Sequence, residues 1–158
     1  MKRRLFSGLL LGLLTVSAFG KSKLEGVWQT VEVKGQIGSN EETNDREPGL
    51  LIFTEKYYSV LAALSDARTQ VPDQAKATAA ELLAMWGPFI ANSGTYEISG
   101  DTVALTAMVA KNPGAVKAGS PIKLSFQLEG DTLTTTTSIP TASGNGRQKI
   151  TMTLHRLE

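Results

Sequence analysis

His155 is the only imidazole in a chain that has no cysteine. A nucleophilic triad or a zinc centre needs several convergent groups, and a lone histidine does not supply them. The absence of cysteine also excludes disulfides, thiol nucleophiles, thiolate metal sites and thioether lipid attachment. Glu41, Glu42, Asp45 and Glu47 cluster in one polar stretch. Arg46 interrupts them and their spacing is not that of an EF-hand, so they read as a solvated loop. Glu97 and Asp101, like Glu129 and Asp131, flank glycine-led turns, where carboxylates serve turn chemistry. No Walker A or dinucleotide fingerprint occurs. The reading therefore assigns no catalytic residue, no metal and no cofactor. What remains is the chemistry of aromatic, aliphatic, thioether and hydroxyl surfaces. Tyr58, Trp86, Tyr96, Leu105, Phe126, Thr135 and Met152 are the candidate ligand-binding set. The same residue types build ordinary cores, and inside a barrel the two roles overlap.

The elements that must carry these side chains are mostly strands. Leu24 to Val33 is rich in β-branched residues, and Lys34 to Gly49 reads as a long polar loop. Leu50 to Thr54 and Tyr57 to Leu64 form a hairpin about Glu55-Lys56. Val71 to Asn92 reads as a helix: Pro72 suits its first position, and Ala75, Ala79, Leu82, Trp86 and Phe89 recur at helical spacing. Gly87-Pro88 breaks or kinks it. Beyond Ser93 the period falls to two. Tyr96-Glu97-Ile98-Ser99-Gly100-Asp101-Thr102-Val103 is matched thirty residues later by Phe126-Gln127-Leu128-Glu129-Gly130-Asp131-Thr132-Leu133. Both copies are hairpins with the residues such turns require. Ala110 to Ser120 reads as a small, flexible connection. In the last strand Ile150, Met152, Leu154 and Arg156 share one face, and His155 lies on the other. Thr135 and Thr137 face inward, which implies a partly polar interior or, alternatively, an edge strand chosen for β-propensity.

Eight strands with short connections and no βαβ rhythm predict an all-β fold: an eight-stranded antiparallel up-and-down barrel with one α-helix between strands 3 and 4. A half-open sheet with the helix in its trough is the alternative. The helix is expected to pack over one barrel end, with Trp86 near the cavity opening or plugging it.

Gly26-Val27-Trp28 opens the first strand and Arg156 nearly ends the last. This pair resembles the signature of lipocalins and their calycin relatives. More specifically, the chain resembles an exported bacterial member of the lipocalin-like domain family. Matching segments are Gly49-Leu50-Leu51-Ile52-Phe53-Thr54, Tyr58-Ser59-Val60, Gly94-Thr95-Tyr96-Glu97-Ile98, Gly100-Asp101-Thr102-Val103, Gly130-Asp131-Thr132-Leu133-Thr134 and Leu154-His155-Arg156. The resemblance implies that Trp28 closes one barrel end with Arg156 packed across it, and often a small apolar ligand. Gly26, Trp28 and Arg156 are the structural signature it carries over. The Thr-Asp-Tyr type motif of animal lipocalins is absent, as are their disulfides. Independently, Arg156 shares the parity of apolar groups, and a buried guanidinium needs a partner, which the Trp28 π-face supplies.

Residues 1–20 have the layout of a secretory signal. Lys2, Arg3 and Arg4 are followed by an uncharged apolar run from Leu5 to Phe19, with Ala18 and Gly20 placed for a cut before Lys21. The run is shorter than the roughly 20 residues that span a bilayer. Residues 21–158 then form one lipocalin-like domain, exported to the periplasm or beyond, with no stable membrane span after signal removal. The whole chain carries 16 basic and 15 acidic residues; losing three basic ones leaves 13 against 15, a net −2. The basic residues are scattered, which excludes a nucleic-acid surface. The function expected is non-catalytic binding of a small hydrophobic or amphipathic molecule in the barrel. Two rivals stay open: a calycin-like isomerase or cyclase, and an envelope protein-interaction module. A closed, dry cavity with one mouth favours binding, a buried carboxylate or Tyr with shifted pKa in that cavity favours the enzyme, and a filled barrel with an exposed apolar patch favours the module.

Overall fold

The computed structural model of the protein describes residues 22–38, 40–44, 48–63, 70–117, 119–140 and 146–158. The predicted leader and the side chains of Glu41, Glu42, Asp45 and Glu47 lie outside them. Nine strands form one antiparallel sheet: β1 (Gly26–Ile37), β2 (Asn40–Asn44), β3 (Leu50–Phe53), β4 (Tyr57–Ala63), β5 (Phe89–Ser99), β6 (Thr102–Ala110), β7 (Ile122–Glu129), β8 (Thr132–Pro140) and β9 (Arg147–Arg156). The order is β2-β1-β3-β4-β5-β6-β7-β8-β9, and β1 also pairs with β9. That last pairing closes β1 and β3 to β9 into an eight-stranded barrel, which decides against the half-open sheet. The strand β2 is a flap on the far half of β1, pairing Ile37 with Asn40 through Val33 with Asn44. The stretch from Lys34 to Gly49 is thus largely hairpin, not loop. Its sequence, Asn-Glu-Glu-Thr-Asn, has no apolar alternation that would mark a strand.

Turn chemistry sets the register. In both repeat copies a two-residue Gly-Asp loop joins the strands, pairing Ser99 with Thr102 and Glu129 with Thr132. Gly100 and Gly130 take φ of 63° and 58°, the left-handed value a hairpin turn with leading glycine demands. The likeness extends to the neighbouring strand. The turn carbonyl of Asp101 accepts the Phe126 N–H at 2.7 Å, and that of Asp131 accepts the Arg156 N–H at 2.9 Å.

The helix is shorter than its periodicity suggests. α1 is Ala79–Trp86, and residues 71–77 form turns. Thr78 is the N-cap of a capping box with Glu81: the Glu81 N–H donates to Thr78 Oγ1 at 3.2 Å, and the Thr78 N–H donates to Glu81 Oε2 at 2.8 Å. The Thr78 N–H and, at 2.7 Å, the Thr78 hydroxyl both donate to the exposed Glu81 carboxylate and hold its pKa below the ordinary value, the backbone bond being the larger cause. Asp73 instead bonds its own neighbourhood, accepting from the Ala75 N–H at 3.1 Å, which competes with helix propagation. At the other end the Gly87 N–H donates to the Leu83 carbonyl at 2.7 Å, and Pro88 has no N–H to continue. Lys111 then binds the exposed carbonyls of Trp86, Gly87 and Phe89. Phe89 and Asn92, expected in the helix, begin β5, with Phe89 opposite Ala63. The connection expected to be flexible contains α2 (Pro113–Lys117), started by Asn112, whose Oδ1 accepts the Gly114 N–H at 2.9 Å.

The core lies inside the barrel and is built by alternation. Trp28, Leu51, Phe53, Tyr58, Val103, Leu105, Leu124, Phe126, Leu133 and Leu154 are buried and form one cluster, with Leu24 against them. A bulge between Thr30 and Glu32 pushes Val31 outward and shifts the inward parity of β1 to Val33.

Candidate functional site

The two barrel ends differ in kind. At one end Trp28 is fully buried, and its indole N–H donates to the Leu24 carbonyl at 2.8 Å. The Arg156 guanidinium lies 4.0 Å from the indole centroid. It donates to the Glu25 carbonyl at 2.6 Å and the Lys23 carbonyl at 3.2 Å. The exposed Asp131 carboxylate stands 3.6 Å from Arg156 Nε, a solvent-screened pairing of small effect. Gly26 admits this crossing: a Cβ there would meet the Glu158 carbonyl and lie 2.6 Å from Arg156 Nη1, and its φ is 136°. This end is sealed.

The other end is hollow. Inward side chains there line an apolar cavity of about 150 Å³ that is open on one side. Its floor is Leu51, Leu105, Leu124 and Met152, and its walls are Val60, Ile90, Asn92, Thr137, Ile139 and Ile150. Ile122, which is 39% exposed, stands at the mouth. Strand register makes this a contiguous lining: Leu51 pairs with Val60, Val60 with Asn92, Leu105 with Ile122, and Thr137 with Ile150. Each pair projects to the same face of the sheet, so cross-strand neighbours share one wall. Among the described residues, no Asp, Glu, Lys, Arg or His belongs to the lining. The polar groups in it are Asn92 and Thr137. The Thr137 hydroxyl donates to the Lys123 carbonyl at 3.1 Å. Asn92 Oδ1 is buried and has no hydrogen-bond partner among the described residues.

The structure distributes the candidate residues along the barrel. Leu105 and Met152 line the cavity. Tyr58, Phe126 and Thr135 are buried in the core beside it, and Thr135 pairs with Met152 across β8 and β9. Tyr96 packs edge-on to Phe53 at 4.9 Å, and its hydroxyl donates to the Thr54 carbonyl at 2.8 Å. Trp86 is 42% exposed, sits edge-on to Phe89 at 6.0 Å, and is not in the cavity lining. The helix therefore neither plugs the hollow end nor presents its indole to the mouth. Among the described residues, the lining shares only Leu105 and Met152 with the predicted set, and two of its other members, Ile90 and Asn92, fell inside the predicted helix. Once Phe89 is taken as a strand start, alternation through Gly94 and Tyr96 places both inward.

Tyr58 Oη and Thr135 Oγ1 are also buried without partners among the described residues. Burial raises the Tyr58 pKa above 10.0, and no charge contributes. The phenol thus remains a proton-bearing donor at neutral pH and is not a base. Its unfolded counterpart ionises first as pH rises. The protonated folded form is thus fully favoured below about pH 10 and loses that advantage as pH rises through the folded value. Removing an unpaired buried hydroxyl removes a desolvation cost of about 1–3 kcal/mol. Tyr58→Phe is therefore expected to raise the unfolding free energy by about 1 kcal/mol at pH 7 and to flatten the loss of stability above about pH 10. Urea titrations of both proteins across pH check this. A destabilised Tyr58→Phe would show that the hydroxyl is paired in solution.

A closed antiparallel barrel, sealed at one end and hollow and apolar at the other, is of the lipocalin type. The chain belongs to the lipocalin-like domain family, whose model matches residues 25–157. No curated protein matches the chain. Among the described residues, no helix is long and apolar enough to cross a membrane, and no three His, Cys, Asp or Glu come together as a metal site.

Proposed function

We propose that this protein is exported and carries a small apolar or amphipathic molecule in its barrel without transforming it. The observation that supports binding is the apolar cavity at the open end. An apolar void in a close-packed interior forgoes contacts that a ligand can restore. The described lining residues include no acid, base or imidazole that could transfer a proton, which supports carriage over catalysis. Tyr58, whose pKa burial raises, is buried beside the cavity and is not among its lining residues, so it does not support the enzyme reading. Export is supported by the charged, apolar and small-residue order of positions 1–20.

One preparation tests the whole reading. The full chain is expressed with its leader and recovered from outside the cytoplasm. Intact mass should place the first residue near Lys21. Native mass spectrometry of that sample should show a co-purified small molecule, and a fluorescent apolar probe should bind once it is removed. Ile122→Trp at the mouth should abolish probe binding while leaving the fold intact. Trp86→Ala, outside the cavity, should leave probe affinity unchanged. A chain retaining Met1 in the membrane fraction would sink the export reading. Probe binding insensitive to Ile122→Trp would sink the barrel site.

A further inference from the structure

The outer wall of the barrel is divided as sharply as its two ends. We propose that the protein pairs with a second copy of itself through the outside of β3 to β6. The strands β3, β4 and β6, and residues 89–96 of β5, contain no Asp, Glu, Lys, Arg or His. Register sets their outward side chains in rows. Leu50 pairs with Leu61 and Leu61 with Ala91; Ser59 pairs with Ser93 and Ser93 with Val109. Leu50, Tyr57, Leu61, Met108 and Val109 are all exposed here, the last two to 64% each. The two serine hydroxyls on the face satisfy each other, Ser93 Oγ donating to Ser59 Oγ at 2.8 Å, so covering them strands neither. The outside of β7 to β9 is different in kind, with Lys123, Gln127, Thr136, Lys149 and Thr151 at the outward positions. Apolar exposure is thus gathered on one side of the barrel.

The backbone is shaped to produce that exposure. Ser93 pairs with Val109 but Gly94 with Ala107, so Met108 is an extra residue in β6. Regular alternation would turn one of Met108 and Val109 inward; the bulge turns both out. Gly94 admits it: a Cβ there would collide with the Thr106 carbonyl and lie 2.9 Å from the Met108 nitrogen. Between Leu61 and Val109 runs an open furrow of about 260 Å³, with Ala91 and Ser93 in its lining. Lys111 stands at its end, with its ammonium bound to the carbonyls of Trp86, Gly87 and Phe89. A protruding Leu61 and this furrow are neighbours, so one two-fold axis between them seats each copy's Leu61 in the other's furrow. A face without charge also meets its own copy without like-charge repulsion. The exposed parts of its five large apolar side chains come to on the order of 500 Å², and the small residues between them bring the face toward the roughly 800 Å² that each partner gives to a standard interface. That apolar area is at the upper end of what monomers expose.

Analytical ultracentrifugation of the exported protein, from micromolar to submillimolar concentration, tests the pairing. A monomer–dimer equilibrium with a micromolar dissociation constant is expected. Leu61→Lys and Val109→Lys each place a cation without a counter-charge in the contact and should weaken pairing at least about a hundredfold. Lys149→Glu, on the outside of β9, should leave it unchanged. Ala91→Glu should be monomeric alone, yet an equimolar mixture with Leu61→Lys should pair again, because the two introduced charges meet across the axis. That recovery also shows both variants folded. A native chain that stays monomeric at submillimolar concentration would overturn the proposal, as would a dimer that survives both lysine substitutions. A mixture that fails to pair, with both variants folded by circular dichroism, would overturn the reciprocal Leu61–Ala91 contact. A monomer that binds phosphatidylcholine vesicles and loses them in Val109→Lys would assign the face to a lipid surface, and a second copy would be excluded. The face is outside the barrel and the cavity inside, so none of these results decides whether the cavity binds its probe.

Discussion

Trp28→Ala is expected to lower the unfolding free energy by about 3–5 kcal/mol, the largest stability loss expected of a single truncation in this barrel. The indole is fully buried at the sealed end, so its removal leaves a void that strands in a closed barrel cannot collapse to fill. Two polar consequences add to the lost packing. The Leu24 carbonyl loses the indole N–H that it accepts at 2.8 Å. Arg156 loses the π-face 4.0 Å from its guanidinium. Arg156→Ala should cost less, because part of that side chain reaches solvent and its partner Asp131 is exposed. It still strips donors from the Glu25 and Lys23 carbonyls, which tie the entry of β1 to the end of β9. The two losses should not add. Contacting residues share their energy, and a double-mutant cycle by urea denaturation should return a coupling of about 0.5–3 kcal/mol. Additivity to within about 0.5 kcal/mol would mean that the stacked geometry carries no energy of its own.

How far the sequence reveals this architecture depends on whether each segment faces one environment or two. The strands β6 to β9 are half-buried, so their alternation is sharp, and the Gly-Asp turns pin the register from within the chain. Their inward parity is legible for Leu105, Ile122, Leu124, Ile150 and Met152. Three features are not. The flap β2 pairs with β1 outside the barrel circuit, so no apolar face marks it. The bulge at Val31 reverses the parity of β1 midway, and a β-branched residue exposed there gives no sign of it. The helix region carries apolar residues at helical spacing that serve two elements. Ala79 to Trp86 follow the capping box, whereas Phe89 and Ile90 already belong to the sheet. A period read across both looks like one long helix. The capping pair Thr78 and Glu81, and the missing N–H of Pro88, mark the true limits, since hydrogen-bond supply at the ends outweighs an apolar stripe. The cost of that error falls on the site: with Ile90 and Asn92 assigned to a helix, two lining residues go unseen.

Leu105→Ala is expected to cost about 3 kcal/mol and, at the same time, to widen the range of ligands that the barrel accepts. Leu105 is buried on the cavity floor, opposite Tyr96 in β5, and its truncation joins new space to the existing void instead of creating a separate one. The destabilisation has the usual two parts: lost transfer energy of the removed carbons, and about 24 cal/mol for each Å³ of cavity that the walls fail to close. Because the walls are strands held on both sides, little closure is available. The enlarged void should then bury two-ring molecules such as 1-naphthol that the native cavity of about 150 Å³ is expected not to bury fully. Binding to the folded state alone returns stability as ligand accumulates, about 2.7 kcal/mol at a hundredfold excess over the dissociation constant. A saturating two-ring ligand should therefore restore most of the melting temperature that Leu105→Ala loses, and should leave the native protein's melting temperature unmoved. Thermal scans of both proteins with and without 1-naphthol give the comparison. Equal shifts in the two would show that the native hollow already opens wide enough for two rings, and no shift in either, with the fluorescent apolar probe still bound by both, would place the ligand away from the Leu105 floor.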